Sequence, residues 1–338
     1  MGDILHALPA VTALRLAHPA WEIDWIVEPR WKALLATEQS TGRGPEQPIV
    51  DRVYLAPTKE WRHHPLALKT THEIKALRDN LKAVPYNAVL DLQGSLRSAV
   101  LGRMAGCRRL IGEETPREGP ARLLFTERIA THGAHVIEQD IELASAVAGD
   151  LLTHTRPLLP IDPAAESWCE ALLASSGTRP LALINPGAGW GAKCWPVERY
   201  AEVACGLSRR GFRVLVNAGP AEEQMADVIV KGTSGAAIPL ATSLQQLITL
   251  TRRAALFVAG DTGPLHLACA LGRPVVGIYG PTDPSRNGPF GTKFRVLRSP
   301  ISKRDHTRYL QPEAGLLTIE PEEVIRAIDD LLAEVDAR

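Results

Sequence analysis

Short apolar runs alternate with amphipathic stretches along most of this chain. Runs bounded by polar or turn residues read as buried strands over 23–27, 53–56 and 88–92, and again over 181–184, 213–216, 255–258 and 274–279. Between many of them lie helical patterns, such as 196–209 and 221–231. Strands that alternate with helices imply right-handed crossovers and mostly parallel sheets, the signature of the α/β class. Pro157, Pro160 and Pro163 mark a linker over 156–165, which splits the chain into a domain over 1–155 and another over 166–320. Two such halves are expected to face each other across a ligand crevice at the carboxyl ends of their strands. A last helical pattern, within 321–338, is expected to lie beyond the second sheet and to pack back on the first half.

The opening Met1-Gly2-Asp3-Ile4-Leu5-His6 reads as a turn and a helix start. A doubly wound domain places a strand ahead of such a turn. The expectation is therefore that the first strand of the N-terminal domain is missing from this chain, with a true start upstream favoured over a domain that lacks its central strand.

Composition narrows the class without changing that picture. At 338 residues the chain exceeds one ordinary core. Lys+Arg and Asp+Glu each count 38, so no global charge calls for a nucleic-acid partner. The five cysteines, Cys107, Cys169, Cys194, Cys205 and Cys269, are scattered without a CxxC pair. That pattern indicates neither a zinc site nor a disulfide framework, and reads as reduced thiols in a cytoplasmic protein. No apolar run is long enough to span a bilayer and no signal sequence is recognisable, so the expectation is a soluble protein, at most peripheral to a membrane.

The candidate chemistry concentrates in turns that follow strands. Ala259-Gly260-Asp261-Thr262-Gly263-Pro264-Leu265-His266 links an apolar run to a helix, with Thr262 placed to cap it and Pro264 in its first turn. Exposed N–H groups and the dipole of such a helix start receive phosphate. Asp261 would repel an anion, so its carboxylate suits neutral hydroxyls, and the combination suggests a nucleotide-sugar. Asn185-Pro186-Gly187-Ala188-Gly189-Trp190 follows another strand, and its N–H groups could form an anion nest. Lys193, just beyond, would set a point charge against a diphosphate, although the same segment also reads as a plain glycine turn with a solvated lysine. In Ala218-Gly219-Pro220-Ala221-Glu222-Glu223 either acid could hold ribose hydroxyls or simply favour the helix dipole. Asp3 fits a helix N-cap or a general base. His6 and His135 are isolated histidines, each equally suited to a structural place. Arg62, Arg97, Arg117 and Arg122 lie around turns and helix starts, where an arginine can bind carboxylate or phosphate in bidentate fashion or remain solvated.

Together these segments resemble the lipopolysaccharide heptosyltransferases, an inverting glycosyltransferase family of the GT-B fold with two facing Rossmann-like domains. The resemblance rests on Met1-Gly2-Asp3-Ile4-Leu5-His6, Asp91-Leu92-Gln93-Gly94, Asn185-Pro186-Gly187-Ala188, Lys193-Cys194-Trp195-Pro196, Gly260-Asp261-Thr262-Gly263-Pro264-Leu265-His266 and Tyr279-Gly280-Pro281-Thr282-Asp283-Pro284, in the family's order. Glu60-Trp61-Arg62 and Thr115-Pro116-Arg117-Glu118 look more like the type I enzyme than type II. The resemblance implies an ADP-L-glycero-β-D-manno-heptose donor and a Kdo-lipid A acceptor met at the cytoplasmic face of the inner membrane. It implies Asp3 as catalytic base and Lys193 near the donor phosphates. Gly187, Ala188, Asp261, Thr262, Gly263 and His266 would line the donor site, Glu222 or Glu223 would hold ribose, and Arg62, Arg117 and His135 would handle the acceptor. Neither a metal nor another obligatory cofactor is expected, since no Asp-x-Asp motif stands where a GT-A-type enzyme would need one. Two rival readings differ in class. One is another nucleotide-sugar enzyme, an epimerase or a transferase with a different donor, which donor screening separates. The other is a non-catalytic nucleotide-sugar-binding protein, which the upstream coding sequence separates.

Overall fold

The structure, a computed structural model, describes residues 1–174, 177–219, 223–305, 307 and 309–336. The chain divides into two compact units, the first running from Asp3 to Ile161 and the second beginning at Asp162. The boundary falls inside the expected linker. The linker is shorter than its prolines suggested, because Pro163 opens a helix whose N-cap Asp162 accepts from Ala165 N–H at 2.9 Å.

The first unit runs α1 (Gly2–Ala17), β1 (Asp24–Val27), β2 (Arg52–Leu55), α2 (Thr58–His63), α3 (Leu68–Lys82), β3 (Val89–Leu90), α4 (Leu96–Met104), β4 (Leu110–Glu113), β5 (Glu127–Ile129) and α5 (Val136–Ala148). Its strands pair in parallel as β1-β2 and, separately, as β3-β4-β5. Helix α1 is apolar on nearly every side, with Leu5, Leu8, Val11 and Leu14 all buried, the pattern of a helix withdrawn from solvent. Arg15 at its last turn is also buried and is satisfied by the carbonyls of Ile49 and Trp21, at 2.7 and 2.6 Å, and by an ion pair with Asp51.

The second unit runs α6 (Pro163–Leu173), β6 (Leu181–Asn185), α7 (Val197–Arg209), β7 (Arg213–Ala218), α8 (Glu223–Gly232), β8 (Ala237–Ala241), α9 (Leu244–Arg253), β9 (Leu256–Gly260), α10 (Gly263–Ala270), β10 (Val275–Tyr279), α11 (Pro284–Asn287), β11 (Phe294–Arg298) and α12 (Pro321–Asp336). Its six strands form one parallel sheet in the order β11-β10-β9-β6-β7-β8. Strands β6, β7, β9 and β10 are buried throughout, which explains their continuous apolar runs. Chain order reverses between β6 and β9, so the turns leaving their carboxyl ends emerge side by side at the topological switch point.

One face of this sheet is covered by α7, α8 and α12, through Tyr200, Val203, Leu207, Ile229, Val324, Ile328 and Leu331. The other face holds Cys169, Leu250, Leu265 and Cys269 of α6, α9 and α10. The closing helix therefore corrects an expectation: α12 packs on the second unit, because its apolar stripe completes that unit's own core. Gly206 of α7 lets it approach, since a Cβ there would lie 2.5 Å from Ile325, and Arg210 grips Asp329 through two contacts of 2.6 and 2.7 Å. No helix among the described residues is long and apolar enough to cross a membrane.

Candidate functional site

In the second unit the turns after β6 and β9 carry the charged cluster. Lys193, in a short 3-10 turn over Gly191–Lys193, pairs through its ammonium with Asp261, just past β9. His266 Nε2 lies 3.3 Å from the other oxygen of Asp261, and the Lys193 ammonium also sits 4.2 Å above the Trp190 ring. All three charged or titratable side chains are nearly desolvated, with side-chain exposures of 11% for Lys193, 10% for Asp261 and 7% for His266. Burial opposes ionisation of Asp261, but the hydrogen bond and charge of His266 and the Lys193 ammonium outweigh it. The carboxyl is held well below the ordinary carboxylate range.

Helix α10 starts at this point with Thr262 at the N-cap position and Pro264 in the first turn. The cap itself differs from expectation. The Thr262 hydroxyl turns back to the Gly260 carbonyl at 3.3 Å and takes no N–H of the helix. Gly263 opens the helix directly beside Asp261. Gly187 is buried and Ala188 half-buried in the loop after β6. Glu223 is exposed in the first turn of α8, and Glu222 lies outside the described residues. A buried polar chain that sequence reading missed crosses the same strand ends: Asn217 Nδ2 donates to Asn185 at 2.9 Å, and Thr242 donates to Asn217 at 2.7 Å. Its one legible signal was a polar residue near the end of each fully apolar strand.

The first unit builds a second cluster around Asp3. The N-cap of α1 is Met1, so Asp3 stands in the first turn rather than at the cap, with its carboxylate exposed. Oxygen Oδ2 of Asp3 accepts from Gln93 Nε2 at 3.2 Å and from Arg117 Nη1 at 3.3 Å. Both partners are placed by the turn after β3. Buried Asp91 accepts from the N–H groups of Gln93 and Gly94, each at 2.9 Å, and from Ser98. Burial pushes its carboxyl up, against those hydrogen bonds. Gly94 adopts φ +61° and a Cβ there would meet Arg117 N at 2.9 Å, so only glycine lets the 116–118 segment approach. Glu118 N–H then donates to Gly94 O at 2.9 Å. Gln93 was visible in the Asp-Leu-Gln-Gly motif, but nothing local connects it to Asp3.

The remaining acceptor candidates stand on α5 and α2. His135 is buried at the N-cap of α5, where Nδ1 accepts from Ile137 N–H at 3.2 Å, and its ring packs edge-on to His6 with centroids 5.9 Å apart. Arg62 is exposed in the last turn of α2.

Against known proteins, residues 74–316 match the family model described as glycosyltransferase family 9 (heptosyltransferase). The chain belongs to that family. It is 31% identical over 312 residues to lipopolysaccharide heptosyltransferase 1 of Escherichia coli K12, covering 89% of this chain and 91% of the relative. Against lipopolysaccharide heptosyltransferase 1 of Pseudomonas aeruginosa it is 29% identical, over 86% of this chain and 79% of the relative. Among solved structures it superposes on E. coli heptosyltransferase WaaC with ADP at a TM-score of 0.79 and 28% identity, covering 98% of this chain and 97% of that one. The parallel α/β fold is that of the GT-B heptosyltransferases, and the chain is a glycosyltransferase.

Proposed function

We propose that this glycosyltransferase moves L-glycero-D-manno-heptose from ADP-heptose to a Kdo sugar of Kdo-lipid A, as a heptosyltransferase of type I. Asp3 takes the proton of a Kdo hydroxyl as that oxygen attacks the anomeric carbon from the face opposite ADP. The bond to the diphosphate oxygen breaks, its electron pair leaves with ADP, and the configuration inverts. Lys193 and the N-terminus of α10 meet the developing diphosphate charge. Asp261, held ionised, accepts from sugar hydroxyls with the lone pairs that Lys193 and His266 leave open. Gly187 and Ala188 approach the donor, Glu222 or Glu223 holds its ribose, and Arg62, Arg117 and His135 serve the anionic acceptor. The reading assigns the reaction no obligatory cofactor or metal, in keeping with the missing Asp-x-Asp motif. The enzyme works in the cytoplasm, at the inner face of the membrane that displays the acceptor.

The observation that carries this reading is the buried Lys193–Asp261–His266 cluster at the switch point beside a helix N-terminus, in a chain whose curated relatives include heptosyltransferase 1 of two organisms. ADP release is the test, with ADP-heptose and UDP-sugars offered as donors and with Kdo-lipid A or the same lipid already carrying one heptose as acceptors. Turnover of ADP-heptose with Kdo-lipid A is expected. Turnover only on the heptosylated acceptor would make it a type II enzyme, and a preference for a UDP-sugar would overturn the donor assignment.

A further inference from the structure

The turn that carries Lys193 does not stand alone. Residues 309–313 lie along it and pair with its backbone on both sides of one residue. Ala192 N–H donates to the Tyr309 carbonyl at 3.0 Å, and Glu313 N–H donates to the Ala192 carbonyl at 3.2 Å. The approach is close enough that a Cβ on Gly191 would stand 1.8 Å from the Leu310 carbonyl oxygen, a clash with backbone that no rotamer change relieves. Glu313 anchors the far end, its Oε2 accepting from Ser302 Oγ at 2.9 Å and from Leu316 N–H at 2.8 Å. A cavity of about 280 Å³ lined by Ala192, Pro281, Lys303, Tyr309 and Pro312 lies alongside. The segment is thus held on the turn by these hydrogen bonds and by the close backbone approach at Gly191.

We propose that residues 309–313 are a positioning element for Lys193, fixing the Gly191–Lys193 turn so that the ammonium is held for the donor diphosphate, and that Gly191 is the residue that admits them. This rests on the assignment of Lys193 to the diphosphate. The physical need is specific. A lysine is a point charge on a flexible stem, so its usefulness depends on where its backbone is held. Asp261 and the Trp190 ring restrain the tip of the side chain, and the 309–313 segment restrains its root.

Gly191→Ala, Glu313→Ala and Glu313→Gln test the assignment, with hydrogen exchange read over 190–193 and 309–313 and initial rates read against ADP-heptose and acceptor separately. Gly191→Ala and Glu313→Ala should speed exchange of the Ala192 and Glu313 amides. They should raise the donor KM roughly tenfold, since a displacement of about 1 Å can cost up to about 10²-fold, and leave the acceptor KM unchanged. Glu313→Gln keeps an acceptor oxygen for Ser302 and Leu316 and should stay near wild type. In a Lys193→Ala background, Gly191→Ala should add nothing, because the effect runs through that ammonium. A released segment with an unchanged donor KM, or an equal further loss in the Lys193→Ala background, overturns the positioning role. An unchanged donor KM in Lys193→Ala by itself would instead sink the diphosphate assignment. Should Gly191→Ala fail to fold, the Glu313 pair decides.

Discussion

Replacing Asp261 by alanine should lower stability and sugar binding while sparing the nucleotide. Asp261 and Lys193 are about one-tenth exposed, so their pairing is hardly diluted by water. Deleting the carboxylate leaves a buried ammonium without its anionic partner, over the Trp190 ring 4.2 Å away. Removing one partner of a buried pair costs about 3–5 kcal/mol. With roughly 2–4 °C of Tm per kcal/mol in a unit of this size, a drop of about 6–20 °C is expected. The pH dependence has a definite sign. Asp261 titrates below its ordinary value, so its stabilisation is complete above the ordinary carboxylate range and is lost as pH falls through the lower, folded value. The Tm gap between wild type and variant should therefore be full at neutral pH and narrow in strong acid. ADP should bind the variant at least as well, because the unpaired ammonium is free for phosphate. ADP-heptose should lose about tenfold or more, since hydrogen bonds to a charged group contribute about 1.5–3 kcal/mol. Thermal scans across pH, with calorimetric titration of both ligands, measure all of this. An unchanged Tm would show that the pair holds nothing together, and equal losses for ADP and ADP-heptose would refute the hydroxyl assignment.

Two further outcomes probe the first unit. Asp3→Asn should cut transfer by about 10²–10⁴-fold with ADP binding and Tm intact, because the carboxylate is exposed and acts only on the acceptor; normal turnover would return Asp3 to a structural place in the first turn. Asp140, buried in α5 with Oδ2 unpartnered among the described residues, has its carboxyl pushed well above the ordinary value by burial and by the charges of Glu113, Asp3 and Asp91. A raised folded pKa means its stabilisation is present in acid and lost as pH rises, so Asp140→Asn should raise Tm at pH 8 and make no difference near pH 4. A constant offset across pH would contradict that ionisation.

The sequence by itself determined the elements whose surroundings are uniform. Strands β6, β7, β9 and β10 are buried on both faces, so their residues form apolar runs that need no tertiary knowledge to find. Strands β8 and β11 escaped because they edge the sheet, mix exposed and half-buried positions, and in β8 contain Pro239, which an edge tolerates and a central strand does not. Turn chemistry showed Asp261 and His266 as candidates in one motif and Lys193 in another. Their meeting was decided only by the strand order, which places β6 beside β9 and so joins Lys193 to Asp261 across 68 residues. The same holds for Asp3 and Arg117, 114 residues apart, and for Gly191, whose missing Cβ has meaning only once Leu310 lies against it. Local patterns report what one segment buries; which segments then face one another follows from how the sheets are wound and packed, and no periodicity along the chain carries that.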